Sequence, residues 1–171
     1  HLIEEALKQH KQVLYLVPEI ALTTQLIARL RAVFGEAVGV YHSRFSENER
    51  VEIWQQLVNN ESSDSKFKVI VGARSALFLP YSQLQLIIVD EEHDSSFKQH
   101  DPSPRYHARD AALYLATLHQ ANIVLGSATP SAESYHNARR HKYELVKLDK
   151  QFAESGGVHV EVCDLRHFES S

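Results

Sequence analysis

Four aliphatic residues, Leu86-Ile87-Ile88-Val89, run directly into Asp90, Glu91, Glu92, His93 and Asp94. Carboxylates this close repel: two like charges about 4 Å apart cost about 1 kcal/mol even in bulk water. A divalent cation would offset that repulsion. Mg²⁺ takes hard oxygen ligands, commonly one or two carboxylates completed by water and phosphate oxygens. A neighbouring carboxylate can then polarise an attacking water. An apolar strand ending in Asp-Glu therefore has the parts of a nucleotide-hydrolysing site, with Asp90 on the metal and Glu91 on the water. An acidic turn after a buried strand gives the same local pattern, so residues elsewhere must decide.

Gly126-Ser127-Ala128-Thr129-Pro130 closes the next apolar run, about thirty residues after the acidic stretch. Its hydroxyls can bind backbone or acidic groups, or cap a following helix from Thr129 or Ser131. Between Asp94 and Asp110 lie Phe97, Lys98, Arg105, Tyr106 and Arg109. Aromatic faces interleaved with cations can stack bases and hold phosphates; the alternative is a loop whose rings pack back on the core. His93, His100 and His107 recur at sevens beside Asp94 and Asp101. Loop histidines of this kind are more often solvated than metal-bound.

The elements that must carry these residues follow from periodicity. Short apolar runs at Val13–Val17, Val38–Tyr41, Phe67–Val71, Leu86–Val89 and Ile123–Leu125 read as strands buried on both faces. Helical spacing predicts helices over Ala21–Phe34, Tyr106–His119 and Ser131–Arg140, with Leu2–Gln9 as the tail of another. Ser46 and Glu49 form a capping-box pattern ahead of a helix turning Val51, Trp54, Leu57 and Val58 inward. Asn59–Ser65 reads as a polar loop, and Glu144–Leu148 and Val158–Val162 as late strands. Strands alternating with helices predict an α/β fold with a mainly parallel sheet. Ligands of such sheets bind beyond the carboxyl ends of the strands. Each polar cluster falls there: Pro18-Glu19, His42-Ser43, Gly72-Ala73-Arg74-Ser75, the acidic stretch and Gly126–Thr129.

The chain has 171 residues, enough for one domain with a full core. No run approaches the roughly 18 apolar residues of a membrane span, and the first residues carry no secretory pattern. The single cysteine, Cys163, excludes an intrachain disulfide, a CxxC pair and a cysteine-rich zinc site. A cytoplasmic setting follows as the expectation. The net charge of −4 lends nucleic-acid binding no bulk support, although an acidic domain can carry a local basic groove.

The pairing of D-E-E-H at Asp90–His93 with S-A-T at Ser127–Thr129 resembles motifs II and III of superfamily 2 helicases. V-P-E-I-A-L-T-T-Q-L (Val17–Leu26), Y-H-S-R-F-S-E-N-E-R (Tyr41–Arg50), V-G-A-R-S-A-L-F-L-P (Val71–Pro80) and R-Y-H-A-R-D-A-A (Arg105–Ala112) extend the likeness. Together they resemble the bacterial primosomal replication-restart helicases, from about Leu2 to Arg166. Branch-migration and repair-coupling translocases are the nearest alternative, but theirs is D-E-x-H-R-F-G after a G-T-H motif, where this chain has His93-Asp94-Ser95 and Gly72-Ala73-Arg74. A DNA-binding or scaffold module without ATPase activity is the alternative of another class.

The resemblance implies a three-layer RecA-like (P-loop NTPase) fold, truncated on its N-terminal side. Residues 1–150 would be the first helicase lobe and 151–171 the start of the connection to the second. It implies ATP and Mg²⁺ as cofactors, with Asp90 on Mg²⁺ and Glu91 orienting the hydrolytic water. Glu92 and His93 complete the box, and His93 would link the nucleotide site to Ser127, Ala128 and Thr129. Pro18, Glu19, Thr23, Gly72, Arg74 and Ser75 would lie along the translocating strand. Phe97, Lys98, Arg105, Tyr106 and Arg109 would belong to an aromatic-rich DNA-sensing loop. The resemblance implies a Trp ahead of the Arg-Tyr pair, where this chain has Asp101-Pro102-Ser103-Pro104. Implied partners are forked and single-stranded DNA, single-strand-binding protein and primosome assembly proteins, with no membrane, in a nucleoid-associated bacterial setting. The family's zinc cysteines belong to another part of the protein.

No G-x-x-x-x-G-K-[ST] segment occurs in the sequence; the resemblance puts it just upstream of His1. The second lobe is likewise expected beyond Asp164-Leu165-Arg166. The 171-residue chain is therefore expected to bind Mg²⁺-ATP weakly and not to hydrolyse it. Isothermal titration checks this, and micromolar affinity would contradict it.

Overall fold

The computed structural model describes residues 1–42, 47–58 and 66–148. Residues 1–135 form one unit and residues from His136 onward a second.

The first unit is built on five strands: β1 (Gln12–Leu16), β2 (Val38–Tyr41), β3 (Val69–Gly72), β4 (Leu84–Val89) and β5 (Asn122–Leu125). They pair in the order β2-β3-β1-β4-β5, every pair parallel. Alternate residues of β1, β3 and β4 enter opposite cores, as the two-residue period of a strand requires; β5, expected to be buried on both faces, is an edge strand that packs Ile123 and Leu125 and leaves Asn122 and Val124 exposed. Val13, Val38, Val40, Val69, Val71 and Leu86 face one layer. There they meet Ala6 and Ile3 of α1 (Leu2–Lys8) and Ile27 and Leu30 of α2 (Thr24–Phe34). Leu14, Leu16, Ile70, Ile87 and Val89 face the other. Their partners are Ile53 and Leu57 of α3 (Glu47–Val58) and Ala108, Ala112 and Ala116 of α4 (Ala108–His119). This is the predicted α/β layering with a parallel sheet, and all five predicted strands are present within a few residues.

Helix boundaries follow local chemistry. Thr23 accepts the Leu26 amide at 3.2 Å and starts α2. Ala21, expected as the first residue of that helix, lies instead in a separate 3₁₀ turn, Glu19–Ala21, after Pro18. Gly35 ends α2 at φ +58°, a conformation that costs glycine little. Helix α5 spans Ala132–Arg139.

Two further expectations are corrected, and others fall outside the described residues. In α3 the buried residues are Ile53 and Leu57, while Val51, Trp54 and Val58 stay substantially exposed. The helix is turned so that its Ile53/Leu57 stripe meets the sheet, a choice its periodicity left open. Glu144–Leu148 is not a strand: these residues follow α5 without ladder pairing, and Val146 and Leu148 are exposed. An apolar run becomes a strand only where another strand offers hydrogen bonds. Ser46, the Asn59–Ser65 loop, Val158–Val162 and the boundary at residue 150 lie outside the described residues. No helix among the described residues is long and apolar enough to cross a membrane.

Gly72 ends β3 where two chains nearly touch. A Cβ there would lie 2.5 Å from the Tyr41 carbonyl oxygen and 2.7 Å from Ala76 Cβ. Both neighbours are fixed, one by the sheet and one by a buried turn. Gly72→Ala is therefore expected to destabilise the fold by about 1–3 kcal/mol. At ~2–4 °C per kcal/mol for a chain of this size, a thermal melt resolves the change.

Candidate nucleotide and nucleic-acid site

The carboxyl ends of the central strands are stitched together by backbone hydrogen bonds. The Val17 amide donates to Gly72, that of Asp90 to Leu16, Gly126 to Val89, and Glu92 to Gly126, all at 2.8–3.0 Å. The last of these brings the loop after β5 onto the turn after β4. The segments containing Asp90–His93 and Gly126–Thr129, distant in sequence, thus share one site.

The adjacent carboxylates Asp90, Glu91 and Glu92 go to different surroundings. Asp90 Oδ2 accepts the Tyr15 hydroxyl at 2.8 Å and Oδ1 accepts the Glu91 amide at 3.1 Å. Burial, and then the Asp90 carboxylate, push the Tyr15 phenol well above its ordinary pKa, keeping it a donor. Glu91 is exposed and adopts φ +49°. That left-handed backbone costs a non-glycine residue about 1–2 kcal/mol. It turns the chain so that Glu91 stays in solvent and Glu92 points inward.

Glu92 is 1 % exposed. Its Oε1 accepts the Ser131 amide at 2.6 Å. Its Oε2 accepts the hydroxyls of Ser131 (3.0 Å) and Ser134 (2.8 Å) and Arg109 Nη1 (3.1 Å). Burial pushes the carboxyl pKa up; the Ser131 amide, Ser134, Arg109 and the Ser131 hydroxyl together outweigh it and hold the pKa below its ordinary value. Ser131 Oγ also accepts the Ser134 amide at 3.2 Å, capping the first turn of α5. This full donor set makes the burial of Glu92 tolerable.

His93 lies between the hydroxyls of the loop after β5. Its Nδ1 is 2.7 Å from Ser127 Oγ and 3.5 Å from Glu91 Oε2, and its Nε2 is 3.3 Å from Thr129 Oγ1. Ser127 Oγ also accepts the Thr129 amide. One imidazole thus touches the acidic turn and both hydroxyls of Ser127-Ala128-Thr129, while Ala128 is exposed.

The DNA-contact candidates divide. Pro18 is buried at the end of β1, and Glu19 Oε1 lies 3.3 Å from His42 Nε2. The Thr23 hydroxyl is engaged in capping α2. Ser75 is exposed on a 3₁₀ turn, Arg74–Phe78. Arg74 Nη1 donates to the carbonyls of Ser96 (3.0 Å) and Lys98 (3.5 Å), joining that turn to the 94–107 loop. Lys98 is half-buried and Arg105 exposed.

Two candidates are corrected. Phe97 is 1 % exposed and belongs to the core packed against α4, so it is not a stacking face. A phenyl ring after a short polar turn gains more from burial than from water. Arg109 is 8 % exposed, with Nη1 on Glu92 and Ser131 and Nε on Asp110 at 2.9 Å. Its guanidinium neutralises a buried carboxylate and is not available to phosphate.

Sequence reading missed Tyr15 and Ser134. The alternation of β1 puts Tyr15 in line with Ile88, near the strand end that carries Asp90, and that register was the available signal. Among the described residues no three His, Cys, Asp or Glu side chains converge on one point. An oxygen ligand at Asp90 with few protein neighbours fits Mg²⁺, which keeps waters and phosphate oxygens as its other ligands.

Glu92 makes the fold pH-dependent. Its folded pKa is below its unfolded value of about 4.5. The stability it contributes is complete above that value and is lost as pH falls through the folded pKa. Glu92→Gln should remove this acid-side loss and lower neutral stability by about 3 kcal/mol, because the buried Arg109 Nη1 loses its carboxylate and only Asp110, on Nε, remains as counter-ion. Thermal melts at neutral and acid pH measure both; an unchanged neutral midpoint would sink the assignment.

The chain matches the DEAD/DEAH box helicase family over residues 1–138. It is 50 % identical to replication restart protein PriA of Synechocystis over 167 residues, 95 % of this chain and 19 % of that protein. It is 50 % identical to PriA of Helicobacter pylori over 153 residues (89 % and 23 %) and 44 % identical to PriA of Haemophilus influenzae over 165 (96 % and 22 %). The chain spans about a fifth of the length of these relatives. With an acidic box on a strand tip bonded to a Ser-Ala-Thr loop, and this match over most of its length, the chain belongs to the DEAD/DEAH box helicase family.

Proposed function

We propose that this chain is part of the first motor lobe of an ATP-dependent DNA helicase acting in replication restart. The observation that carries the reading is His93, whose ring joins Glu91 to Ser127 and Thr129. A shift in the acidic turn on nucleotide turnover moves that ring and hence the loop after β5. Such a linkage suits a motor and has no use in a passive scaffold.

In this reading Asp90, aligned by Tyr15, holds Mg²⁺, which neutralises phosphate charge when bound. Glu91, whose carboxylate meets only His93 among the described residues, orients the attacking water. Glu92 acts differently from its neighbours: it fixes the turn by binding Arg109, Ser131 and Ser134. The DNA strand runs over the carboxyl edge of the sheet, along Pro18, Glu19, Thr23, Gly72, Arg74 and Ser75. Backbone groups and hydroxyls there bind phosphates without reading sequence. Lys98, Arg105 and Tyr106 of the 94–107 loop complete the contact.

Movement is 3′-to-5′, the substrate is forked DNA at stalled forks, and the partners are single-strand-binding protein and primosome assembly proteins. The similarity to PriA sequences supports this part of the reading. In the full-length polypeptide, Glu91→Gln should lower DNA-stimulated ATPase by about 10²–10⁴-fold, the usual contribution of a positioned general base. Nucleotide binding should be retained. Turnover at the wild-type rate in that variant would refute the role of Glu91.

A further inference from the structure

With Phe97 in the core, the exposed ring at this edge is Phe78, at 66 %. It ends the 3₁₀ turn Arg74–Phe78, and its neighbours Leu77 and Leu79 are both buried. The turn is thus anchored on either side while Phe78 is held outward. Leaving such a side chain in water forgoes about 1.5–3 kcal/mol of burial. Its ring meets Tyr106 edge to face, centroids 5.2 Å apart and planes at 82°. Tyr106 is itself held in place: the Gln99 amide donates to its carbonyl at 2.9 Å, and Lys98 bridges His107 across the loop. Arg74 ties the Phe78 turn to that loop through the Ser96 and Lys98 carbonyls.

The surroundings decide what this ring is for. Arg74 of the same turn lies near Tyr106, and Lys98 and Arg105 stand on the two arms of the loop; among the described residues none of the three has a carboxylate partner. An aromatic face bordered by unneutralised cations suits a base with its phosphates. A protein-docking patch would be broader and continuously apolar.

We propose that Phe78, set edge-on against Tyr106, is a base-stacking platform for single-stranded DNA, with Lys98 and Arg105 on the flanking phosphates. The proposal rests on the helicase reading above and extends it to a residue outside the 94–107 loop.

The test is a titration of the 171-residue chain at low salt with an oligodeoxythymidine carrying one 2-aminopurine, whose fluorescence is quenched on stacking. Phe78→Ala and Phe78→Leu should each weaken binding about 5- to 150-fold, matching the ~1–3 kcal/mol of one stacked base. Both should lose the quenching, and Phe78→Tyr should keep both. The slope of log affinity against log salt should stay unchanged in the Phe78 variants and fall by about 1 for Lys98→Ala or Arg105→Ala. A Phe78→Leu variant that binds and quenches like wild type overturns the proposal alone. So does a Phe78→Ala variant that binds DNA normally but loses self-association, since the ring would then be a protein contact. Wild-type chain that binds no single-stranded DNA overturns the helicase reading with it. Melting midpoints of the variants, expected to equal wild type because the ring is exposed, separate lost binding from lost fold.

Discussion

A carboxylate almost wholly removed from water must be met by donors on every side, and Glu92 is such a carboxylate. An isolated ionised group in a protein interior costs several kcal/mol. Glu92 avoids that cost with a guanidinium from the first turn of α4, two hydroxyls and an amide from the start of α5. The consequence is mechanical. The strand tip that presents Asp90 and Glu91, the helix that follows the 94–107 loop and the helix that follows Ser127-Ala128-Thr129 share one anchoring point. Displacing any of them leaves a buried charge without partners.

This anchoring also resolves the electrostatics of the acidic stretch. Asp90, Glu91 and Glu92 would repel if they shared a surface. A left-handed residue at Glu91 sends its neighbours apart: Asp90 toward Tyr15, Glu92 toward Arg109, with Glu91 in solvent. Backbone strain of this kind collects where a side chain must be aimed. The three carboxylates are thereby held in separate surroundings, which relieves their mutual repulsion.

The loop that follows is held from several directions. Phe97 plugs the core beneath it, Asp94 caps its first turn through the Ser96 amide, and Arg74 binds its backbone from the neighbouring strand connection. The Phe78–Tyr106 pair stands at its outer edge and the Glu92–Arg109 pair at its base. Packed and hydrogen-bonded groups thus lie between the outer edge and the acidic turn.

Five parallel strands and the gathering of polar clusters at their carboxyl ends were legible in the sequence, because strands buried on both faces leave uninterrupted apolar runs. The Asp-Glu at a strand tip and the Ser-Ala-Thr after the next strand were legible for the same reason: their chemistry depends on neighbours in the chain. Side-chain direction was not. Whether Phe97 or Phe78 meets solvent, whether Arg109 faces phosphate or Glu92, and which stripe of α3 meets the sheet depend on residues far away in sequence. Glu144–Leu148 had the apolar content of a strand but no ladder to join. The sequence by itself determined which residues could do chemistry and at which edge they collect. Only the tertiary structure decided which of them are free to do it, because burial and charge compensation are settled between segments that meet after folding.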